Sequence, residues 1–128
     1  MARARRAVLP ALAREAVPAL LAAGRIEQAA ATLAALRPAE LAAGRFRLLR
    51  ARVLLAQGGP RAAREIFDEG FEIADLREGD EAIGDTWYAI GERIVAGDGP
   101  VTEDVAARAR REHPLPERYE CRMRPVRG

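Results

Sequence analysis

Apolar residues recur at three- and four-residue spacings along the chain, as in Leu9, Leu12, Ala16 and Leu20 or in Ile83, Trp87, Ile90 and Ile94. A period near 3.6 marks amphipathic helices, whereas strands alternate with a period of two. No strand-like alternation occurs, so the expected fold class is all-α. Breakers cut the pattern at Gly24, Pro38, Gly58-Gly59-Pro60, Gly79, Gly97-Asp98-Gly99-Pro100 and His113-Pro114-Leu115-Pro116. Between them the spacing predicts six helices, over about 5–23, 25–36, 39–57, 60–75, 80–96 and 102–112. Pro60 suits a first helical turn, and Thr102 ahead of Glu103 and Asp104 makes an N-cap with acids over the helix dipole. Pro10 and Pro18 interrupt the first segment, and Pro10 is a candidate for its true start. After residue 113, two prolines and scattered arginines predict an extended tail, giving a helical domain over 1–112 and a tail over 113–128.

The helices repeat. Leu20-Leu21-Ala22-Ala23-Gly24 recurs as Leu54-Leu55-Ala56-Gln57-Gly58, an offset of 34 residues that also relates Ala29 to Ala63 and Leu33 to Phe67. Small residues at Val17, Ala51 and Gly91, and at Ala29 and Ala63, let helices approach, while Leu20, Leu33, Leu54, Phe67 and Ile94 fill between them. A period of about 34 residues is that of the tetratricopeptide repeat, a pair of antiparallel helices. Trp87-Tyr88-Ala89-Ile90-Gly91-Glu92-Arg93-Ile94 resembles its Trp-x2-Leu-Gly-x2-Tyr signature, with Ile in place of Leu and Tyr. This third unit starts late, which predicts an inserted loop from Asp75 to Asp80. The expected architecture is a tetratricopeptide-like helical-hairpin solenoid of about three units. An irregular helical bundle is the alternative that an alanine-rich sequence leaves open.

Composition then removes most chemistries. The 128 residues include 28 alanines and 21 arginines, with no lysine, serine or asparagine. Without Ser there is no Ser-His-Asp triad, and without Lys neither a Walker-type phosphate loop nor a Schiff base. One Cys (Cys121) and one His (His113) cannot supply a zinc site or a disulfide within the chain. No cofactor and no metal are expected, and with 5% aromatic residues the core must come from Ala, Leu, Ile and Val. The net charge of +2 conceals a segregation: residues 1–64 carry +9, residues 65–104 carry −11 and residues 105–128 carry +4. An acidic middle block can neutralise the basic ones, so nucleic acid is an unlikely partner. Arg3, Arg5 and Arg6 precede an apolar stretch from Ala7 to Ala13 that is too short for a signal core or a membrane span, which makes the expected location cytoplasmic.

A second resemblance rests on Gly70-Phe71-Glu72-Ile73-Ala74-Asp75-Leu76-Arg77-Glu78-Gly79, Asp85-x-Trp87, Pro114-x-Pro116 and Arg122-Met123. Together, across about residues 11–123, they resemble the C-terminal tail of bacterial proteins of the domain-of-unknown-function 5107 family, which join β-sandwich, sugar-enzyme-like domains to tetratricopeptide repeats. The resemblance implies that any carbohydrate chemistry belongs to an upstream region, with this chain as an accessory or remnant domain. This chain departs from that pattern by starting mid-solenoid and continuing past Met123.

Candidate functional residues lie on the first helices of the hairpins. Arg45 and Arg52 fall on one stripe of the third predicted helix, while Arg47 and Arg50 point away from it. The resemblance to tetratricopeptide repeats places Arg14, Arg45 and Arg52 at concave-groove positions, with Asp85 and Glu92 at equivalent positions in the third unit, and the groove so formed is expected to include Tyr88. Two readings of the arginines stand: a bidentate clamp for an anionic peptide, or neutralisation within the chain by Asp85 and Glu92. The acids Asp68, Glu69, Glu72, Asp75, Glu78, Asp80 and Glu81 lack EF-hand spacing and read as a solvated face. Paired carboxylates on a solenoid surface lack the enclosed cleft of a glycosidase, so no catalytic residue is expected. Trp87 is expected in the core, Tyr88 as a ligand contact and His113 at a helix end. The sequence therefore predicts a non-catalytic module that binds a protein or peptide partner and spans no membrane. An apolar edge on the first helix (Leu9, Leu12, Ala16 and Leu20, with Val17 and Leu21) predicts a homodimer through the N-terminal hairpin, and Leu115, Tyr119 and Met123 are expected to cover the opposite end.

Overall fold

The computed structural model describes residues 2–71 and 76–119, and among these there are seven α-helices, one 3-10 turn and no strand. The chain is therefore all-α, in two compact units. Met1–Ala74 holds α1 (Ala2–Ala22), α2 (Ile26–Ala34), α3 (Pro38–Leu41), α4 (Gly44–Ala56) and α5 (Pro60–Glu69). Asp75–Gly128 holds α6 (Leu76–Ala96), α7 (Glu103–Glu112) and the 3-10 turn Glu117–Tyr119.

In the first unit, α1 packs on α2 and α4 on α5, and α4 also packs on both α1 and α2. The two hairpins turn identically. Gly24 N–H donates to Leu21 O (3.0 Å) and Arg25 N–H to Leu20 O (2.8 Å); Gly58 N–H donates to Leu55 O (3.0 Å) and Gly59 N–H to Leu54 O (2.9 Å). This pair of bonds is the Schellman motif, which satisfies the last carbonyls of a helix and requires a left-handed residue. Gly24 and Gly58 supply it, at φ of 77° and 86°. The residues that open the next helices, Arg25 and Gly59, also share a conformation, with ψ of 64° and 65°. Packing repeats too: Val17 and Ala51 on the first helices, and Ala29 and Ala63 on the second, are all fully buried.

One core cluster of this unit comprises Ala13, Val17, Ala29, Leu33, Leu36, Phe46, Leu49 and Val53. Leu9, Leu20 and Leu21 pack against it, so most of the apolar edge expected on the first helix is already used within the chain. Leu12 remains largely exposed, at 55%. Further along, Phe67 is fully buried on α5 and meets Phe71 edge-on, with ring centroids 5.2 Å apart.

Several boundaries differ from the predicted ones for identifiable reasons. Helix α1 runs through Pro10 and Pro18, although each lacks the N–H that would bond the carbonyl four residues before it. Between them, Ala13 and Val17 are buried and tie this stretch to the core. The predicted helix over 39–57 is broken after Leu41. There the short α3, with Pro38 in its first turn and its N-terminus capped by Glu40 Oε1 accepting from the Arg37 N–H (2.7 Å), gives way to an extended Ala43. Helix α5 stops at Glu69 rather than 75, because Gly70 adopts φ of 87°.

In the second unit, α6 already runs from Leu76, so Leu76–Asp80 is helix where an inserted loop is expected; Asp75 lies outside the described residues. Leu, Arg, Glu and Asp outweigh the single Gly79, whose penalty in a helix is about 1 kcal/mol. Helix α6 packs on α7, and Ile83, Trp87, Ile90 and Ala109 of these helices are buried. Arg93 holds the connection between them by donating to Gly97 O and Gly99 O, both at 3.0 Å. Thr102 caps α7 by accepting from Val105 N–H (3.2 Å). His113 ends α7, and the Trp87 indole N–H donates to its carbonyl (2.8 Å). The segment after His113 is not extended throughout: Glu117–Tyr119 forms the 3-10 turn against α6, burying Tyr119. Cys121, Arg122 and Met123 lie outside the described residues.

Candidate functional site

Arginine dominates the polar chemistry of α4: the helix buries Phe46, Leu48, Leu49, Ala51 and Val53, and its four arginines stand at half-buried or exposed positions. Arg45 and Arg52, seven residues apart, fall on one stripe of α4 and are half-buried. Arg14 is exposed on α1. The other three sequence-predicted residues belong to the second unit: Asp85 is exposed on α6, and Tyr88 and Glu92 are half-buried there. The Tyr88 ring carries the Arg110 guanidinium, whose carbon lies 4.4 Å from the ring centroid. That contact is a cation–π interaction contributing about 0.5–1 kcal/mol at an exposed site. Trp87, 2% exposed, is a core residue as expected.

Sequence reasoning passed over the two arginines that line clefts. Arg47, Arg50, Glu65 and Glu69 border a cleft of 370 Å³ between α4 and α5, with Leu41, Leu54, Ala62 and Ile66. Arg47 Nη2 donates to Glu69 Oε1 at 2.7 Å, with the two side chains 28% and 64% exposed. A pair this accessible contributes only about 0–1 kcal/mol. The Arg47 Nε is buried and has no hydrogen-bond partner. On the other side of Leu41 and Leu54 lies a more apolar cleft of 310 Å³, lined by Ala30, Leu33, Ala34 and Val53 as well as Arg50 and Gln57. Arg50 is exposed, borders both clefts and makes no ion pair among the described residues.

The charged cleft belongs to the second hairpin alone. At the 34-residue offset, Arg47, Arg50, Glu65 and Glu69 correspond to Ala13, Ala16, Ala31 and Ala35. That contrast was the available signal: four alanines in one hairpin become two arginines and two glutamates at the same positions of the next. Among the described residues no group of His, Cys, Asp and Glu could hold a metal ion, and no helix is long and apolar enough to cross a membrane. No family model matches the chain, and neither does any curated protein or solved structure.

Proposed function

We propose that this chain is a non-catalytic interaction module built from tetratricopeptide-like hairpins, and that it binds an extended peptide segment of a protein partner. One observation carries the reading: the two hairpins of the first unit repeat at 34 residues down to the hydrogen bonds of their turns. Repeated hairpins stack into open surfaces rather than enclosed cavities, and such surfaces suit extended peptides. Arg14, Arg45 and Arg52 give the first helices of this unit a cationic character that favours acidic segments.

A random-peptide display library selected against the purified chain tests this. Enriched sequences are expected to be acidic, to bind with micromolar Kd and to lose about tenfold or more in affinity for the Arg45→Glu, Arg52→Glu double variant. Failure to enrich any sequence above an unrelated helical protein would overturn the reading.

A further inference from the structure

We propose that the cleft over α4 is a second peptide surface, distinct from the Arg45 and Arg52 stripe, and that it takes an aliphatic side chain lying next to a carboxylate. The aliphatic half follows from the lining. Leu33 and Val53, both about 95% buried, form the floor of the 310 Å³ cleft, and Ala30, Ala34, Leu41 and Leu54 form its sides. A space of this size and lining excludes charged side chains and accepts a leucine or isoleucine.

The carboxylate half follows from the distribution of charge. Arg47 already pairs with Glu69, and Glu65 lines only the charged cleft. Arg50 is thus the cation that borders the apolar cleft, and it has no ion-pair partner among the described residues. Its planar fork can grip a carboxylate through two parallel hydrogen bonds. Arg47, by contrast, lines only the adjoining charged cleft, so Arg50 is the one cation on the lining of the apolar cleft. An acidic residue adjacent to the anchored aliphatic one supplies an acceptor for Arg50. At the 34-residue offset the first hairpin has Ala16 in place of Arg50 and so lacks this cation.

Methyl-resolved NMR titration of the full chain tests the proposal. The probes are the capped peptide acetyl-Ala-Leu-Glu-Leu-Ala-amide and its counterpart with Gln in place of Glu. The Glu peptide is expected to shift the Leu33, Val53 and Leu54 methyls saturably and to bind about fivefold tighter than the Gln peptide at low salt. Arg50→Gln, on an exposed side chain, should erase that preference without changing the circular dichroism. Ala34→Phe, also exposed, should plug the cleft and abolish both titrations. Absence of a saturable shift, equal binding of the two peptides, a Glu preference that survives Arg50→Gln, or undiminished binding to Ala34→Phe would each overturn the proposal. Peptides selected by display that depend on Arg45 and Arg52 but ignore Arg50 would leave the interaction module standing and remove this surface alone.

Discussion

Gly91 and Gly58 show how differently two glycines can be used. A methyl group added at Gly91 would lie 3.5 Å from His113 Cβ and 3.6 Å from Ala109 Cβ, ordinary van der Waals distances. The spacing of the sequence suggested that a small residue is needed there, and the structure shows that alanine is small enough. Gly91→Ala should therefore raise stability by about 0.5–1 kcal/mol through helix propensity, read as an increase in Tm. Gly58 has open space around its missing side chain but holds φ at 86°. Gly58→Ala should lower stability by about 1–2 kcal/mol in a denaturant titration, because the strain lies in the backbone. Ala51 and Ala63 are fully buried where helices cross. Leucine at either should cost roughly 1–3 kcal/mol by overpacking, and unchanged melting would show that these positions do not set the interhelix spacing.

At the level of elements, helix content was legible because period, propensity and caps agree, as at Thr102 and α7. What escaped was decided by packing or by backbone freedom. Ala42 and Ala43 are good helix formers, yet the chain breaks there to deliver Phe46 to the core. Gly70, one glycine among eleven, ends α5 because it alone there can take positive φ. The clefts were illegible for another reason: helical spacing gives the face of each arginine on α4 but not which neighbouring helix that face meets. Electrostatics within an element is simpler. The hydrogen bond from Arg108, 2.6 Å from Glu112 Oε2, holds the Glu112 carboxyl below its ordinary value of 4.5. A depressed folded pKa means the interaction is present above the unfolded pKa and is lost as pH falls through the folded one. A carbon-detected NMR titration should place the Glu112 midpoint below that of free glutamate, and Arg108→Gln should move it upward.

For the molecule as a whole, two compact units imply unequal independence. Met1–Ala74 closes a core of its own, with Val17, Ala29, Phe46, Ala51, Ala63 and Phe67 among its buried residues, whereas the described part of Asp75–Gly128 offers two helices and one short turn. A fragment over 1–74 is expected to melt cooperatively by circular dichroism, and one over 75–128 to lack a cooperative transition, since so short a piece buries too little surface. The matched turns at Gly24 and Gly58 carry one more consequence, for deletions that join one to the other. Excising 25–58 would join Gly24 to Gly59 and rebuild the same turn, laying α5 on α1 with Ala63 and Phe67 where Ala29 and Leu33 had been. A cut one residue shorter would rotate the incoming helix by about 100° and present a wrong face. A chain lacking 25–58 is therefore expected to keep more helix by circular dichroism than one lacking 25–57.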